Sequence, residues 1–346
     1  MTTPCVRFTS DQDQLLKLLN VLPLALLTWL AGCSTQEVPL NDTLPKFTAQ
    51  ALLPAVNANE YCNPQMDSDI LFGTGLLMFE DGSRDVAQTC LVMAAPNHPR
   101  AFCYLSTMVM QSGDLSKNKN QVFNYTAYAA KQNDWCAEYG LYDMYSSGTL
   151  GAKKDAKLAM RWLLRSSQHG YADAQKELIN QYEKQDNLPE AYAWSKFLID
   201  TEDAAIGTTL KTRMTPSQVA EADKRYNDLV PQVASKAALA AEERAEDVAR
   251  YSAQIYQDYP DTFKGLTSAE RQAYMTESIG DAMDLPFIRN RDHVLIYIVI
   301  NRAAQLKKPD ANIANDQRII TLIEDKRLTV DETIESGLRV VKTFYR

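Results

Sequence analysis

Histidine is scarce in this chain: its 346 residues include only three, His98, His169 and His293. None of them has a serine, cysteine or carboxylate at a spacing that indicates a catalytic triad. The motifs G-x-S-x-G and H-E-x-x-H and the phosphate-binding loop are also missing. We therefore predict no catalytic residue, no cofactor and no enzyme. An enzyme is the least favoured alternative, because its site would have to be assembled from residues distant in sequence.

Clusters of basic residues are missing as well. Lys and Arg number 36 against 44 Asp and Glu, and the net charge is −8. Such a chain offers few partners for phosphate groups, so we expect no nucleic acid among its ligands. Glycine is sparse, at 13 residues, and there is no dense Pro/Ser tract, which argues against disorder. The hydrophobic content of 45% is ample for packed cores.

An apolar run near the N terminus follows Lys17 and ends in small residues, which is typical of a secretory signal and not of a spanning helix. Its ending, Leu30–Cys33, resembles the lipobox of bacterial lipoproteins. That resemblance implies cleavage before Cys33 and lipidation of this cysteine, and Ser34 after it implies sorting to the outer membrane, on the periplasmic face. The alternatives are an uncleaved membrane anchor or a chance cysteine, and the long n-region leaves open a start downstream of Met1.

The middle of the chain repeats itself. An Ala-x-x-x-Leu pattern recurs with steps of 36 and 37 residues, at Ala101 and Leu105, Ala137 and Leu141, and Ala174 and Leu178. A fixed period in this range, with two amphipathic runs in each period, predicts an α-solenoid. The helix pairs expected are 69–79 with 86–95, 100–111 with 122–131, 135–145 with 156–169, and 172–184 with 189–199. The candidate contact surface is the concave side, formed by the first helix of each pair.

The C-terminal third also reads as helical. Thr267–Glu270 fits a capping box that opens a helix to about residue 283. The apolar run 292–306 could be a buried strand, but we favour a buried helix because its neighbours are helical. The expected fold is therefore all-α, a solenoid followed by a small helical bundle. The expected organisation is a signal peptide 1–32, a flexible tether 33–64, the solenoid with capping helices 65–230, a helical connector 231–255 and a C-terminal helical domain 256–346.

Several segments carry a family resemblance. Ser167–Gln175 resembles the junction between Sel1-like repeats, a class related to tetratricopeptide repeats, and Asp155–Leu164, Pro189–Trp194 and Met214–Ala222 resemble other parts of that pattern. The resemblance implies helix pairs stacked in a right-handed superhelix whose concave face binds other proteins. Residues 256–338 are weakly similar to proteins found near type VI secretion effectors, through Tyr259–Phe263, 266–270 and 291–293.

These resemblances together imply a function. Sel1-like lipoproteins recur as immunity proteins that neutralise secreted effectors in the periplasm. We therefore expect a protein-binding scaffold in the periplasm, in the form of an immunity protein against a type VI effector. The alternative is a structural adaptor of an envelope or exopolysaccharide assembly, and an envelope enzyme is less favoured.

The chain has six cysteines. Cys5 lies in the predicted signal peptide, and Cys33 is the predicted lipidation site. The remaining four, in an oxidising compartment, allow three complete pairings. They are Cys62, Cys90, Cys103 and Cys136. Cys90 and Cys103 lie about equally far from the turn between two antiparallel helices, so we predict a bridge between them. Cysteine-rich Sel1-like proteins resemble this, with a bridge across the same junction, although theirs lies one turn nearer the loop. Cys62 with Cys136 is the weaker candidate pair, and buried free thiols are the alternative. We expect no metal site, since no CxxC or Cys/His pair has ligand spacing.

Overall fold

The computed structural model describes residues 37–199 and 203–345. It divides the chain into two units, the first ending at Val38 and the second beginning at Pro39. The predicted signal peptide, 1–32, and the predicted lipidation site, Cys33, lie outside the described residues. Among the described helices, none combines the length and the apolar character needed to cross a bilayer.

The described part of the second unit contains sixteen α-helices and no strand, which confirms the predicted all-α class. The helices are α1 Ala49–Leu52, α2 Ser68–Glu80, α3 Arg84–Ala94, α4 Ala101–Gln111, α5 Leu115–Lys131, α6 Trp135–Ser147, α7 Ala156–Gln168, α8 Ala172–Lys184, α9 Leu188–Ser195, α10 Ala205–Thr212, α11 Pro216–Leu229, α12 Lys236–Asp258, α13 Ser268–Met283, α14 Arg291–Lys307, α15 Gln317–Glu324 and α16 Val330–Phe344.

Helices α2 to α9 form four consecutive pairs, each packed on the next, as the repeat predicted. The alanines and leucines of the repeated pattern are all buried, with at most 2% of each residue exposed. They occupy the face of α4, α6 and α8 that meets the neighbouring helices, where an alanine permits close approach and a leucine four residues later fills the space. This stripe is the solenoid core.

Helix ends follow the sequence signals. Thr267 and Glu270 form the predicted capping box at the start of α13. Gly170 adopts φ +89° just after α7, which is the left-handed conformation expected of a glycine that ends a helix. One boundary differs, because α5 begins at Leu115 and not near Val122. The predicted loop 112–120 is therefore mostly helical.

The apolar run of the C-terminal third is a helix, as favoured over the strand. Each residue from Val294 to Ile300 is at most 5% exposed, so α14 is buried on all sides of its central turns. Helices α12, α13, α15 and α16 pack around it and form a second hydrophobic core. A helix that is apolar all round is stable only in such a position.

Residues 39–66 pack against the first two helix pairs. Leu44 is 4% exposed, and Leu52, Leu53 and Val56 lie against the solenoid core. Lys131 at the end of α5 donates a hydrogen bond to the backbone oxygen of Pro45 at 2.6 Å. The described part of the expected tether is thus a packed segment of the second unit.

Helix α12 joins the two cores. Ala249 belongs to the core of the solenoid, whereas Val248, Tyr251 and Ile255 belong to the core of the C-terminal bundle. Because different faces of α12 are buried in the two cores, this helix fixes the position of one core relative to the other. The C-terminal half of the expected connector is therefore largely buried between them.

The crossing of α2 and α12 is unusually close at Gly73. A Cβ atom placed on Gly73 would lie 1.9 Å from the backbone oxygen of Ala249 and 3.0 Å from the Cβ of Ala253. No side chain larger than hydrogen fits between the two backbones. Gln257 Nε2 donates a hydrogen bond to Thr74 Oγ1 at 3.2 Å in the same crossing.

The substitution Gly73→Ala should force α2 and α12 apart. We expect it to lower the free energy of unfolding by about 3 kcal/mol, because overpacking a contact with backbone cannot be relieved by a rotamer change. Urea denaturation followed by circular dichroism measures this loss.

Gly280→Ala in α13 is the matched control. There the added methyl meets only the tip of the flexible Arg244 side chain, at 3.0 Å. Since alanine favours a helix interior over glycine, this control should leave stability unchanged or raise it by up to about 1 kcal/mol. Equal effects of the two substitutions would contradict the close crossing.

The disulfide prediction is wrong. The structure joins Cys62 to Cys90, with Cα atoms 5.2 Å apart, and leaves Cys103 beside Cys136. Neither predicted pair, Cys90–Cys103 or Cys62–Cys136, is formed. The number of residues from the turn tells how far along each antiparallel helix a cysteine lies. It does not tell to which side of the helix the cysteine side chain points. Cys90 points into the core towards Cys62, whereas Cys103, two positions after the buried Ala101, points out of it.

Candidate protein-binding groove

The first helices of adjacent repeats enclose a groove. Helices α4 and α6, closed below by Thr126 of α5, bound a cavity of about 230 Å³, which we call the α4–α6 groove. Its outward-facing side chains follow the buried repeat positions by about two residues, so they lie on the opposite face of each helix. Among the residues that line it are Cys103, Met110, Cys136, Tyr139, Asp143 and Tyr171.

Aromatic rings form one side of the groove and continue towards α8. The ring of Tyr139 meets that of Tyr171 edge-on at 5.4 Å and stacks with that of Tyr142 at 5.7 Å. The ring of Trp135 lies 4.6 Å from that of Tyr171. Met110 is 37% exposed on the α4 side. Rigid tyrosines and an adaptable methionine are the side chains that contribute most at protein interfaces.

The groove also carries negative charge. Asp143 is exposed at the groove, and among the described residues no cation lies within ion-pair distance of it. Although the residue as a whole is exposed, the groove partly desolvates its carboxyl and so raises the pKa of Asp143, and the nearby charge of Glu177 adds to the rise. Glu177 accepts hydrogen bonds from Tyr142 Oη at 2.7 Å and Gln181 Nε2 at 2.6 Å. A ligand that brings a cation to Asp143 would relieve this repulsion.

Helix α12 fixes the N-terminal ends of α4 and α6. Glu246 forms an ion pair with Arg100 and accepts a hydrogen bond from Tyr104 Oη at 2.9 Å. Glu242 accepts one from Trp135 Nε1 at 2.7 Å. The guanidinium of Arg100 lies 4.6 Å above the ring of Trp135, so the five side chains form one cluster. The spacing of the two groove helices therefore depends on α12.

A buried carboxylate ties α6 to α7 behind the groove. Glu138 is fully buried, 2.7 Å from Arg165 Nε and 2.8 Å from His169 Nδ1. Burial raises the pKa of Glu138, and the two neighbouring bases only partly offset this effect. Sequence analysis missed Glu138 because nothing in its local pattern distinguishes a buried glutamate from an exposed one.

The three histidines lie apart from one another. His98 stacks on Phe72 with ring centres 3.8 Å apart, and burial lowers its pKa. His169 contacts Glu138, and the ring of His293 lies 3.0 Å from the backbone oxygen of Phe287 near the start of α14. Each has a packing or hydrogen-bonding role in the fold.

Comparison of the chain with protein-family models, with curated proteins and with solved structures finds no match. The contact surface expected from the sequence, the first helices of the repeats, is where the α4–α6 groove lies.

The titration of Glu138 should be visible in the stability of the protein. A carboxyl whose pKa is raised by folding contributes stability that is fully present below the unfolded pKa and is lost as the pH rises through the folded pKa. We expect the unfolding free energy of the wild type, relative to Glu138→Gln, to fall as the pH rises above about 4.5, the ordinary pKa of a glutamate. The fall should be about 1.4 kcal/mol for each unit of pKa shift.

Urea titrations of both proteins across this range measure the difference, with the exposed Glu221→Gln as the matched control. The control should follow the wild type within about 0.5 kcal/mol at every pH. If the wild type instead became more stable relative to Glu138→Gln as the pH rises, Arg165 and His169 would lower the pKa of Glu138 more than burial raises it.

Proposed function

We propose that this protein is a lipid-anchored scaffold of the outer membrane, facing the periplasm, and that it binds a protein partner in the α4–α6 groove. The observation that carries the proposal is the groove itself, with Met110, Tyr139 and Tyr171 beside the unpaired carboxylate of Asp143. A helix-pair solenoid supports this, because its stacked units present extended surfaces for binding other proteins. The resemblance to Sel1-like repeats supports it as well.

The chemistry of the groove favours a particular kind of segment. Its aromatic and methionine side chains would bury an apolar side chain of the partner, and Asp143 would pair with a lysine or arginine next to it. We infer that the partner is a secreted effector, which this protein neutralises by covering the effector's active site. The resemblance to proteins found near type VI effectors is the support for this step.

Two substitutions in the groove test the binding site. Tyr139→Ala removes an aromatic contact, and Asp143→Lys reverses the charge that the partner meets. Each should weaken binding by about 30-fold or more, since central aromatic and charged contacts are worth 2 kcal/mol or more. Tyr256→Ala, on an exposed tyrosine of α12 outside the groove, is the matched control and should leave affinity unchanged.

The partner is to be isolated first, by capturing the full chain through a C-terminal tag from detergent-solubilised membranes. A truncation starting at residue 65 is unsuitable, because it removes Cys62 and the packed segment before it. A stoichiometric secreted hydrolase, inhibited by the wild type and not by the groove variants, is the expected result. Recovery of envelope-assembly components alone would overturn the immunity role, and binding unaffected by either groove variant would overturn the site.

The lipid anchor has its own test. Cys33→Ser removes the thiol that the resemblance assigns to acylation, so the protein should move from the membrane fraction to the soluble periplasmic fraction. Cell fractionation with immunoblotting measures this, and Cys5→Ser is the matched control. Unchanged membrane association of Cys33→Ser would contradict lipidation at this cysteine.

A further inference from the structure

Two thiols meet in the α4–α6 groove. The Sγ atoms of Cys103 on α4 and Cys136 on α6 lie 2.9 Å apart. This is about 0.9 Å longer than the roughly 2.05 Å of a disulfide bond, so a small rotation of either side chain would bring them to bonding distance. Both residues are partly exposed and line the groove, whereas Cys62 and Cys90 are fully buried.

The two thiols are not equivalent. Cys136 is the second residue of α6, two positions after the N-cap residue Asp134, where the helix end stabilises negative charge. The hydrogen bond from the Cys103 thiol lowers the pKa of Cys136, and the same bond, with burial, raises the pKa of Cys103. Arg100 favours both thiolates, while Asp134 opposes both. The helix start and this hydrogen bond therefore both favour a thiolate at Cys136 over one at Cys103.

A pair of thiols at this distance could also bind a metal ion. Ligand atoms of Cys103, Cys136 and Asp134 lie within 4.8 Å of one another. However, Asp134 already accepts a hydrogen bond from the Ala137 N–H at 2.9 Å and pairs with Arg100 at 3.3 Å. Only the two sulfurs are uncommitted, which suits disulfide chemistry better than a closed metal site.

We propose that Cys103 and Cys136 form an exchangeable disulfide on the groove, through which the protein takes part in thiol–disulfide exchange. The Cys136 thiolate attacks a disulfide of low molecular mass or of an oxidoreductase, and one thiolate leaves. The Cys103 thiol then loses its proton, and the resulting thiolate attacks Cys136 Sγ in the mixed disulfide and expels the second thiolate. Two thiols are oxidised to one disulfide, and one disulfide is reduced to two thiols, with two protons released to the products.

The bridge would join the first helices of adjacent repeats across the groove. Its formation or reduction would therefore change the shape of one wall of the α4–α6 groove. The buried Cys62–Cys90 bridge provides an internal reference in the same molecule. A disulfide that opens to solvent exchanges more readily than one enclosed in a core. The proposal stands whether or not the groove binds an effector.

Peptide mapping tests the pairing. Trypsin separates the four cysteines into the peptides 47–84, 85–100, 101–117 and 132–153. The full chain, treated with oxidised glutathione and blocked with N-ethylmaleimide, should give 101–117 linked to 132–153 and 47–84 linked to 85–100. Free thiols at 103 and 136 after this treatment would overturn the proposal, as would retention of a bound zinc ion by the reduced pair in place of oxidation.

Exchangeability needs a second measurement. Under limiting dithiothreitol without denaturant, the 103–136 bridge should open at least tenfold faster than the 62–90 bridge. Opening of both bridges at equal rates would overturn the assignment of the first as exchangeable. Differential alkylation of the four peptides follows both bridges in one sample.

The roles of the two thiols are tested by single substitutions. Cys103→Ser keeps a hydrogen-bond donor beside Cys136, and with oxidised glutathione it should form a mixed disulfide at Cys136. Cys136→Ser should trap glutathione on Cys103 at least tenfold more slowly. Equal rates, or a faster reaction at Cys103, would overturn Cys136 as the attacking thiol.

Discussion

The contact between α2 and α12 is the constraint on which the rest of the structure depends. At Gly73 the two backbones approach so closely that no side chain fits between them. This crossing turns α12 back along the repeats, so that one of its faces lies in the solenoid core and another in the core around α14. Without it, the first helix pair would have an uncovered face, and the C-terminal bundle would lose its main packing contact with the solenoid, keeping ion pairs such as Arg271–Asp67.

The groove depends on the same helix. Beyond the crossing, α12 passes the starts of α4 and α6, where Glu246 and Glu242 hold Arg100, Tyr104 and Trp135. Although burial opposes it, the pairing with Arg100 holds the pKa of Glu246 below its ordinary value, so the ion pair is intact at neutral pH. Partly buried ion pairs with further hydrogen bonds fix geometry more than they add stability. The cluster sets the spacing of the two helices that carry the aromatic rings and the two thiols.

The sequence predicted the parts of the fold that repeat or that are strongly periodic. The stripe through Ala101, Ala137 and Ala174 is the core, the run around Ile298 is a buried helix, and Thr267 opens α13. It did not predict which way a side chain points around its helix, which is why Cys90 was paired with the wrong partner. It also missed the return of α12 over Gly73, since a single glycine in an apolar helix does not specify what crosses it. The groove helices could be predicted, whereas the proximity of Cys103 to Cys136 needed three-dimensional structure.

If α12 makes the solenoid and the C-terminal bundle one cooperative body, the two parts should unfold together, and this can be measured directly. All four tryptophans lie before residue 200, three of them at Trp135, Trp162 and Trp194 in the solenoid and none in the bundle. Urea unfolding followed by tryptophan fluorescence therefore reports on the solenoid, whereas far-ultraviolet circular dichroism reports on both parts. We predict coincident transitions with one midpoint. A second dichroism transition without a change in fluorescence would show that the bundle unfolds alone and would contradict the claim.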